Sequence, residues 1–391
     1  MKIDCRNPMH WLYLLAFSIN VAFALMLRPL VSRKKRVVVL YGHKLNGNLK
    51  AIYDELASQR CAIHEWCYLS LDPEHHRYLK GRGLRTVCAT HPTAALLLAR
   101  AASVISDHGL HVMWPLLRLT DILFFDAWHG IPFKGFDSDD FLIQRRYEEV
   151  WVASPLLAEL YVRRFGFDPT RVTVTGYART DRLIRPDEEP SEIRERIGAP
   201  AAGPLILFAP TWVQDDRGRS VYPFGCPESV FLQALCEVAA CYQGSVLMRA
   251  HLNSGAIGTG IPNVISVPQS RFPDTEAVLQ IADVLICDWS SIAFDYLVLE
   301  RPTLFLDVPA PFKKGFSLGP EYRFGPVVRS LDELTAQLDQ ILSVPESFLA
   351  ENASRLRAAK AEVYGEYADG YSARRCVERL ASKLASAGSS R

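Results

Sequence analysis

Four short polar stretches in this 391-residue chain each follow an apolar run and carry residue types that can do chemistry. They are Asp126-Ala127-Trp128-His129-Gly130, Ala209-Pro210-Thr211-Trp212, Arg249-Ala250-His251 and Asp288-Trp289-Ser290-Ser291. A histidine is the natural general base for an incoming hydroxyl. Arginine and hydroxyl side chains suit phosphate oxygens. Ser290 and Ser291 stand where a strand should deliver the chain to a helix N-terminus. There the backbone N–H groups point outward and the helix dipole favours an anion. An ordinary serine cap is the plainer reading of that pair, and a lone histidine after a strand is more often structural than catalytic. Two histidines in different halves, with an arginine and a double serine, point instead to a phosphorylated ligand.

These stretches need a scaffold, and the apolar runs supply one. Strands are expected at 37–41, 85–88, 103–106, 122–125, 150–153 and 172–175, with helical stretches such as 155–165 between several of them. A second set is expected at 205–208, 245–248, 264–267, 283–287 and 303–306. Strands alternating with helices imply mainly parallel, doubly wound sheets. Between the sets, residues 186–203 are rich in charge, proline and small residues and read as a linker. The expected division is an N-terminal apolar segment at 1–36, one Rossmann-like half at 37–185, the linker, and a second half at 204–391 that ends in helices. All four polar stretches would then face a cleft between carboxyl ends of strands, where such folds gather ligands.

Composition narrows the class. Lys plus Arg and Asp plus Glu nearly cancel at 44 and 43, so nothing overall marks a nucleic-acid binder. Hydrophobic content of 49% is that of a globular protein. The nine cysteines form no CxxC pair, which argues for core thiols rather than disulfides or zinc. No acidic cluster has metal-ligand spacing, so the sequence requires no metal or other cofactor, and the need for a divalent ion stays open. Residues 11–27 carry no charge and precede Arg28, Arg33, Lys34, Lys35 and Arg36. Bilayer spans usually take ~20 apolar residues, so this run is short for one. It reads as a membrane anchor, spanning or lying in the interface, with the bulk of the protein on the cytoplasmic side against anionic lipid. A helix packed on the protein's own core is the competing reading. On the anchor reading, removal of residues 1–32 leaves a folded protein.

Several motifs in order then carry a resemblance. They are DAWHGIPFKGFD at 126–137, WVASPLLAELYVRRFGF at 151–167, VTGYARTDRL at 174–183, LFAPTW at 207–212, RAH at 249–251, the run at 282–307 and DGYSARR at 369–375. With these the chain resembles the CDP-glycerol glycerophosphotransferase family, the teichoic-acid primases and polymerases and their capsule-synthesis relatives. The resemblance implies a GT-B architecture and transfer of a polyol phosphate from CDP-glycerol or CDP-ribitol to a hydroxyl of a lipid-linked or polymer acceptor, with release of CMP. It makes His129 the base for the acceptor hydroxyl and His251 the contact to the donor pyrophosphate. It places Ser290 and Ser291 on donor phosphate, with Thr211, Arg249 and Asp288 lining the donor side and Lys134 neutralising phosphate. Leu252, Val213-Gln214-Asp215 and Trp289 depart from the family pattern, and the first two leave the polyol open. A GT-B glycosyltransferase using a sugar nucleotide, and a catalytically silent membrane scaffold, are the alternatives.

Overall fold

A computed structural model describes residues 3–31, 37–58, 63, 65–211, 222–249 and 261–389, the side chains of 388 and 389 excepted. The chain forms two compact units. The first comprises Met1–His129, Ser138–Asp181 and Tyr371–Arg391, and the second Gly130–Asp137 and Arg182–Gly370.

The first unit is built on a seven-stranded parallel sheet. Its strands are β1 (Val37–Tyr41), β2 (Glu65–Ser70), β3 (Thr86–Cys88), β4 (Ala101–Ser106), β5 (Leu123–Asp126), β6 (Glu149–Val152) and β7 (Val172–Val174), in the order β3-β2-β1-β4-β5-β6-β7. Its helices are α1 (Pro8–Leu27), α2 (Gly47–Ser58), α3 (Pro73–Gly81), α4 (Thr93–Arg100), α5 (Trp114–Leu119) and α6 (Pro155–Arg163). The VVVLY run of β1 is buried throughout. The two-residue pleat sends Val37, Val39 and Tyr41 into a core with α1 and α4, and Val38 and Leu40 into a core with α2. Strands buried on both faces read as continuous apolar runs, which is why they were visible in the sequence.

The short helix α7 (Asp181–Ile184) carries the chain into the second unit. There β8 (Leu205–Ala209), β9 (Ser245–Met248), β10 (Val264–Ser266), β11 (Val284–Cys287), β12 (Thr303–Leu306) and β13 (Val327–Val328) make a parallel sheet in the order β10-β9-β8-β11-β12-β13. Its helices are α8 (Pro190–Ile197), α9 (Glu228–Cys241), α10 (Thr275–Ile281), α11 (Ile292–Leu297), α12 (Leu331–Ser343) and α13 (Pro345–Tyr364). In both sheets the first strand of the unit lies between the second and the fourth, so each has a switch point where strand order reverses. The expected fold class, a GT-B-like pair of Rossmann-like sheets with an N-terminal apolar helix, is the observed one.

The chain is apportioned differently from the sequence expectation in three places. Residues 186–203, expected as a linker, include α8, which buries Ile193 and Ile197 and packs on α10. The final helix α14 (Ser372–Ser389), expected in the second half, belongs to the first unit and packs on α2. Asp181 accepts from the N–H groups of Ser372 (3.0 Å) and Ala373 (2.7 Å), a carboxylate at a helix start. Farther along, the Arg379 guanidinium meets the wholly buried Glu149 at 2.9 and 3.0 Å. Third, Gly130–Asp137 leaves the first unit for the second and pairs there, with Gly135 N–H donating to Gly315 O (2.7 Å) and Ser317 N–H to Phe133 O (2.9 Å).

Helix α1 combines the two sequence readings. By length and composition, 8–30 could cross a membrane. One face, however, is part of the first unit's core through Phe17, Val21 and Ala24. Buried Asn20 donates to Ala89 O (2.9 Å) and His91 O (3.0 Å), and Arg28 donates to Ala99 O, Ala101 O and Asp121. The expectation that 1–32 is dispensable for folding therefore needs correction, because deletion uncovers an apolar face of α4. The opposite face exposes Leu12, Leu15, Ile19, Phe23, Met26 and Leu30, spaced three and four residues apart. The basic run at 33–36 lies outside the described residues.

Candidate active site

His129 sits three residues past β5 in the first unit and is exposed. The loop that presents it is over-determined. Asp126, the last residue of β5, accepts from Trp128 N–H at 2.8 Å. Trp128 has φ of 49°, a conformation that a bulky residue holds only when its surroundings impose it. Asn48, in the first turn of α2 and buried, donates to Ala127 O (2.8 Å) and Trp128 O (3.1 Å) and accepts from Arg179 N–H (2.9 Å). The Arg179 guanidinium in turn donates to His129 O at 2.6 Å. His129 Nδ1 lies 2.7 Å from Asp107 O. A carbonyl can only accept, so the proton is on Nδ1 and Nε2 carries the lone pair a base needs.

His129 is one of four clustered histidines. Its ring stacks on His108 at 4.1 Å and 15°, and His108 lies 4.3 Å from His43. His111 is 5.8 Å from His43, and its Nδ1 is 2.7 Å from the Tyr41 hydroxyl. His43 follows β1, His108 and His111 follow β4, and His129 follows β5, so the cluster marks the switch point of the first sheet. Burial, followed by the neighbouring His108, drives His43 down to about 2 and keeps it neutral. Burial likewise takes His111 down to about 4. Asp126 is pushed up to about 7 by burial, against the opposing hydrogen bond from Trp128. Among the described residues no group of histidine, cysteine and carboxylate side chains is arranged to hold a metal ion.

In the second unit the corresponding place lies beyond β8 and β11. Buried Asp288 accepts there from Thr211 N–H (2.8 Å), from the Thr211 hydroxyl and from Trp289 N–H (2.7 Å). Thr211 and Asp288 thus tie the two strand ends together. Ser290 and Ser291 are half-buried at the start of α11, and the Ser291 side chain makes no capping hydrogen bond. Arg249, expected on donor phosphate, is buried and turned inward. It donates to Val267 O (3.0 Å), Phe272 O (3.1 Å) and the Thr275 hydroxyl (2.8 Å), which makes it a brace for the loop beyond β9. Lys134 is exposed, with Nζ 5.2 Å from the Phe136 ring centre. Trp289 bonds through its indole N–H to Val308 O (2.8 Å) and carries the Arg323 guanidinium 4.1 Å above its ring. His251 and Trp212 lie outside the described residues.

The structure thus brings His129 together with Asp107, His108 and His43 in the first unit, and Thr211 together with Asp288 beside Ser290 and Ser291 in the second. Sequence reasoning missed Asn48, Asp107, His108 and His43. A usable signal existed, since His43 and His108 each stand two residues past a strand that ends in an apolar run.

The model of the CDP-Glycerol:Poly(glycerophosphate) glycerophosphotransferase family matches residues 21–382, and the chain belongs to that family. The teichoic acid poly(glycerol phosphate) polymerase of Bacillus subtilis (strain 168) is 25% identical over 350 residues, covering 80% of this chain and 46% of that protein. The teichoic acid ribitol-phosphate polymerase TarL of Staphylococcus aureus (strain NCTC 8325 / PS 47) is 27% identical over 259 residues, covering 63% of this chain and 43% of that protein. The chain thus spans less than half the length of these two relatives. Among solved structures, the wall teichoic acid polymerase TagF has the same fold, with a TM-score of 0.76 at 18% identity over 98% of this chain and 99% of the TagF chain.

Proposed function

We propose that this member of the glycerophosphotransferase family transfers a polyol phosphate, glycerol phosphate first, from a CDP-activated donor to a hydroxyl of a lipid-linked or polymer acceptor in teichoic-acid-like polymer synthesis. The acceptor oxygen attacks the phosphorus that bears the polyol. The bond from that phosphorus to the bridging oxygen breaks, CMP departs, and the acceptor proton passes to Nε2 of His129. The observation that carries this reading is the fixed tautomer of His129, held by Asp107 O at 2.7 Å within a chain that matches the family over 21–382. Ser290 and Ser291 are assigned to donor phosphate, His251 to the departing pyrophosphate oxygen and Lys134 to charge neutralisation. Thr211, Asp288 and Arg249 shape that side. No metal is required by this scheme, since positioning and fixed cations can carry phosphoryl transfer.

The same reading places the protein on the cytoplasmic face of the membrane, with α1 lying along the interface rather than crossing it. Crossing would strip Asn20 and Arg28 of the carbonyls they bond. Lying flat keeps them and lets the outward stripe enter the acyl boundary, with the basic run at 33–36 on anionic headgroups. The test is incubation with radiolabelled CDP-glycerol, CDP-ribitol and UDP-sugars on a membrane acceptor. Phosphodiester product with CMP release is expected from a CDP-polyol. Sugar transfer without a phosphodiester bond overturns the assignment.

A further inference from the structure

We infer that Asp107 and His108 are the positioning residues of the base, with the Asp107 backbone setting the tautomer of His129, the His108 ring setting its plane, and the Asp107 carboxylate offsetting the positive charge it gains. The inference rests on the proposed role of His129 and adds residues that the chemistry does not touch directly.

Three observations converge on it. The Asp107 carbonyl receives the Nδ1 proton of His129 at 2.7 Å. His108, the next residue, lies nearly parallel to His129, with ring centres 4.1 Å apart and planes 15° apart, so the two rings are stacked in contact. The Asp107 carboxylate is buried, and its Oδ1 is 2.7 Å from His108 Nδ1, yet the two atoms are out of line for a hydrogen bond. A buried carboxylate oxygen without an aligned donor interacts strongly with any charge that appears nearby. Abstraction of the acceptor proton creates such a charge on His129. The backbone makes room for this arrangement at Gly42, where a Cβ would stand 2.3 Å from Asp107 Oδ1. A base oriented by a second group that is not itself protonated is the general logic of activated nucleophiles.

Other groups face this pair from the packed elements: His43 beyond β1, Tyr68 on β2, His111 beyond β4, Asp126 on β5 and Arg179 in the turn before α7. His43 and His111 are held neutral, and burial holds the Tyr68 hydroxyl well above its usual range. Asp126, at about 7, titrates where activity is measured, so the pH profiles are compared in an Asp126→Asn background.

The experiment measures CMP release from CDP-glycerol with membrane acceptor as a function of pH, together with melting temperatures. Asp107→Asn is expected to lower kcat about tenfold, leave the donor KM within about twofold and move the acid limb of the profile to lower pH, because the imidazolium loses its counter-charge. His108→Ala is expected to lower kcat by a similar factor, and His108→Phe, which restores a flat ring, to recover most of it. If Asp107→Asn fails to fold, the His108 pair decides. Unchanged kcat and acid limb in Asp107→Asn, or equal kcat in His108→Ala and wild type, while His129→Ala is inactive, overturn this inference and leave the base in place. Full turnover in His129→Ala removes the base itself and is a different failure.

Discussion

The two switch points of this protein use their polar residues in opposite ways. In the first unit, the loops beyond β1, β4 and β5 spend hydrogen bonds on one another so that one exposed ring is held still. Asn48, Asp126 and the Asp107 carbonyl all serve the geometry of His129. In the second unit, Asp288 takes three donors from Thr211 and Trp289 and closes the gap between β8 and β11. There the side chain of Ser291 is spent on no cap, and Arg249 is committed to its own loop. One unit fixes a single atom in space; the other fixes a backbone frame with hydroxyls at its edge. That contrast suits a reaction in which a base must be aimed while a charged, multi-oxygen ligand is cradled.

The contrast can be broken most sharply at His129. His129→Ala is expected to lower transfer ~100- to 10,000-fold with unchanged melting, since the ring is exposed. Asp288→Ala should act on both fold and donor. It leaves buried N–H groups without a charged acceptor, which costs about 1.5–3 kcal/mol in unfolding measurements, and it raises the donor KM more than it lowers kcat. Asn48→Ala removes three hydrogen bonds, two of them to carbonyls of the histidine loop and one from Arg179 N–H, and should reverse that pattern. A loss of about 1–3 kcal/mol in urea unfolding would come with a fall in kcat at nearly constant donor KM.

A pH dependence centred on the first unit sharpens the comparison further. The Asp126 carboxyl is raised from 3.8 to about 7, so the folded state binds its proton more tightly than the unfolded chain. Stability from this group is present below pH 3.8 and declines as pH rises to about 7, then stays level. Asp126→Asn keeps an oxygen for Trp128 N–H and abolishes that decline. Its melting advantage over wild type should be largest above pH 7 and absent below pH 3.8. A flat difference across pH would show that Asp126 is not buried as a neutral acid.

What the sequence revealed followed from local pattern. Continuous apolar runs located β1, β9 and β12 to the residue and most other strands to within a residue or two, because parallel strands buried on both faces need no alternation. The strand β2, EWCYLS, was missed because it mixes charge, aromatic and polar residues, and β13 has only two residues. The histidine cluster was half visible. His129 announced itself in a motif, whereas His43 and His108 are brought to it only by the order β1-β4-β5, which no local window contains. The inward turn of Arg249 was equally hidden, since its acceptors are the carbonyls of 267 and 272 and the hydroxyl of Thr275, none of which the sequence marks as partners. Helix α1 defeated a one-sided reading because both faces are apolar, and composition cannot say which of them a neighbour covers.

The route of the chain has a consequence for anyone wishing to recombine this protein. It passes from one unit to the other four times, at 129/130, 137/138, 181/182 and 370/371. No single cut therefore yields two complete halves. A chimera that exchanges the second unit with a relative must carry the eight residues 130–137 along with 182–370 and leave α14 behind. Graft boundaries drawn at the proline-rich stretch alone would splice each sheet to a stranger's missing piece.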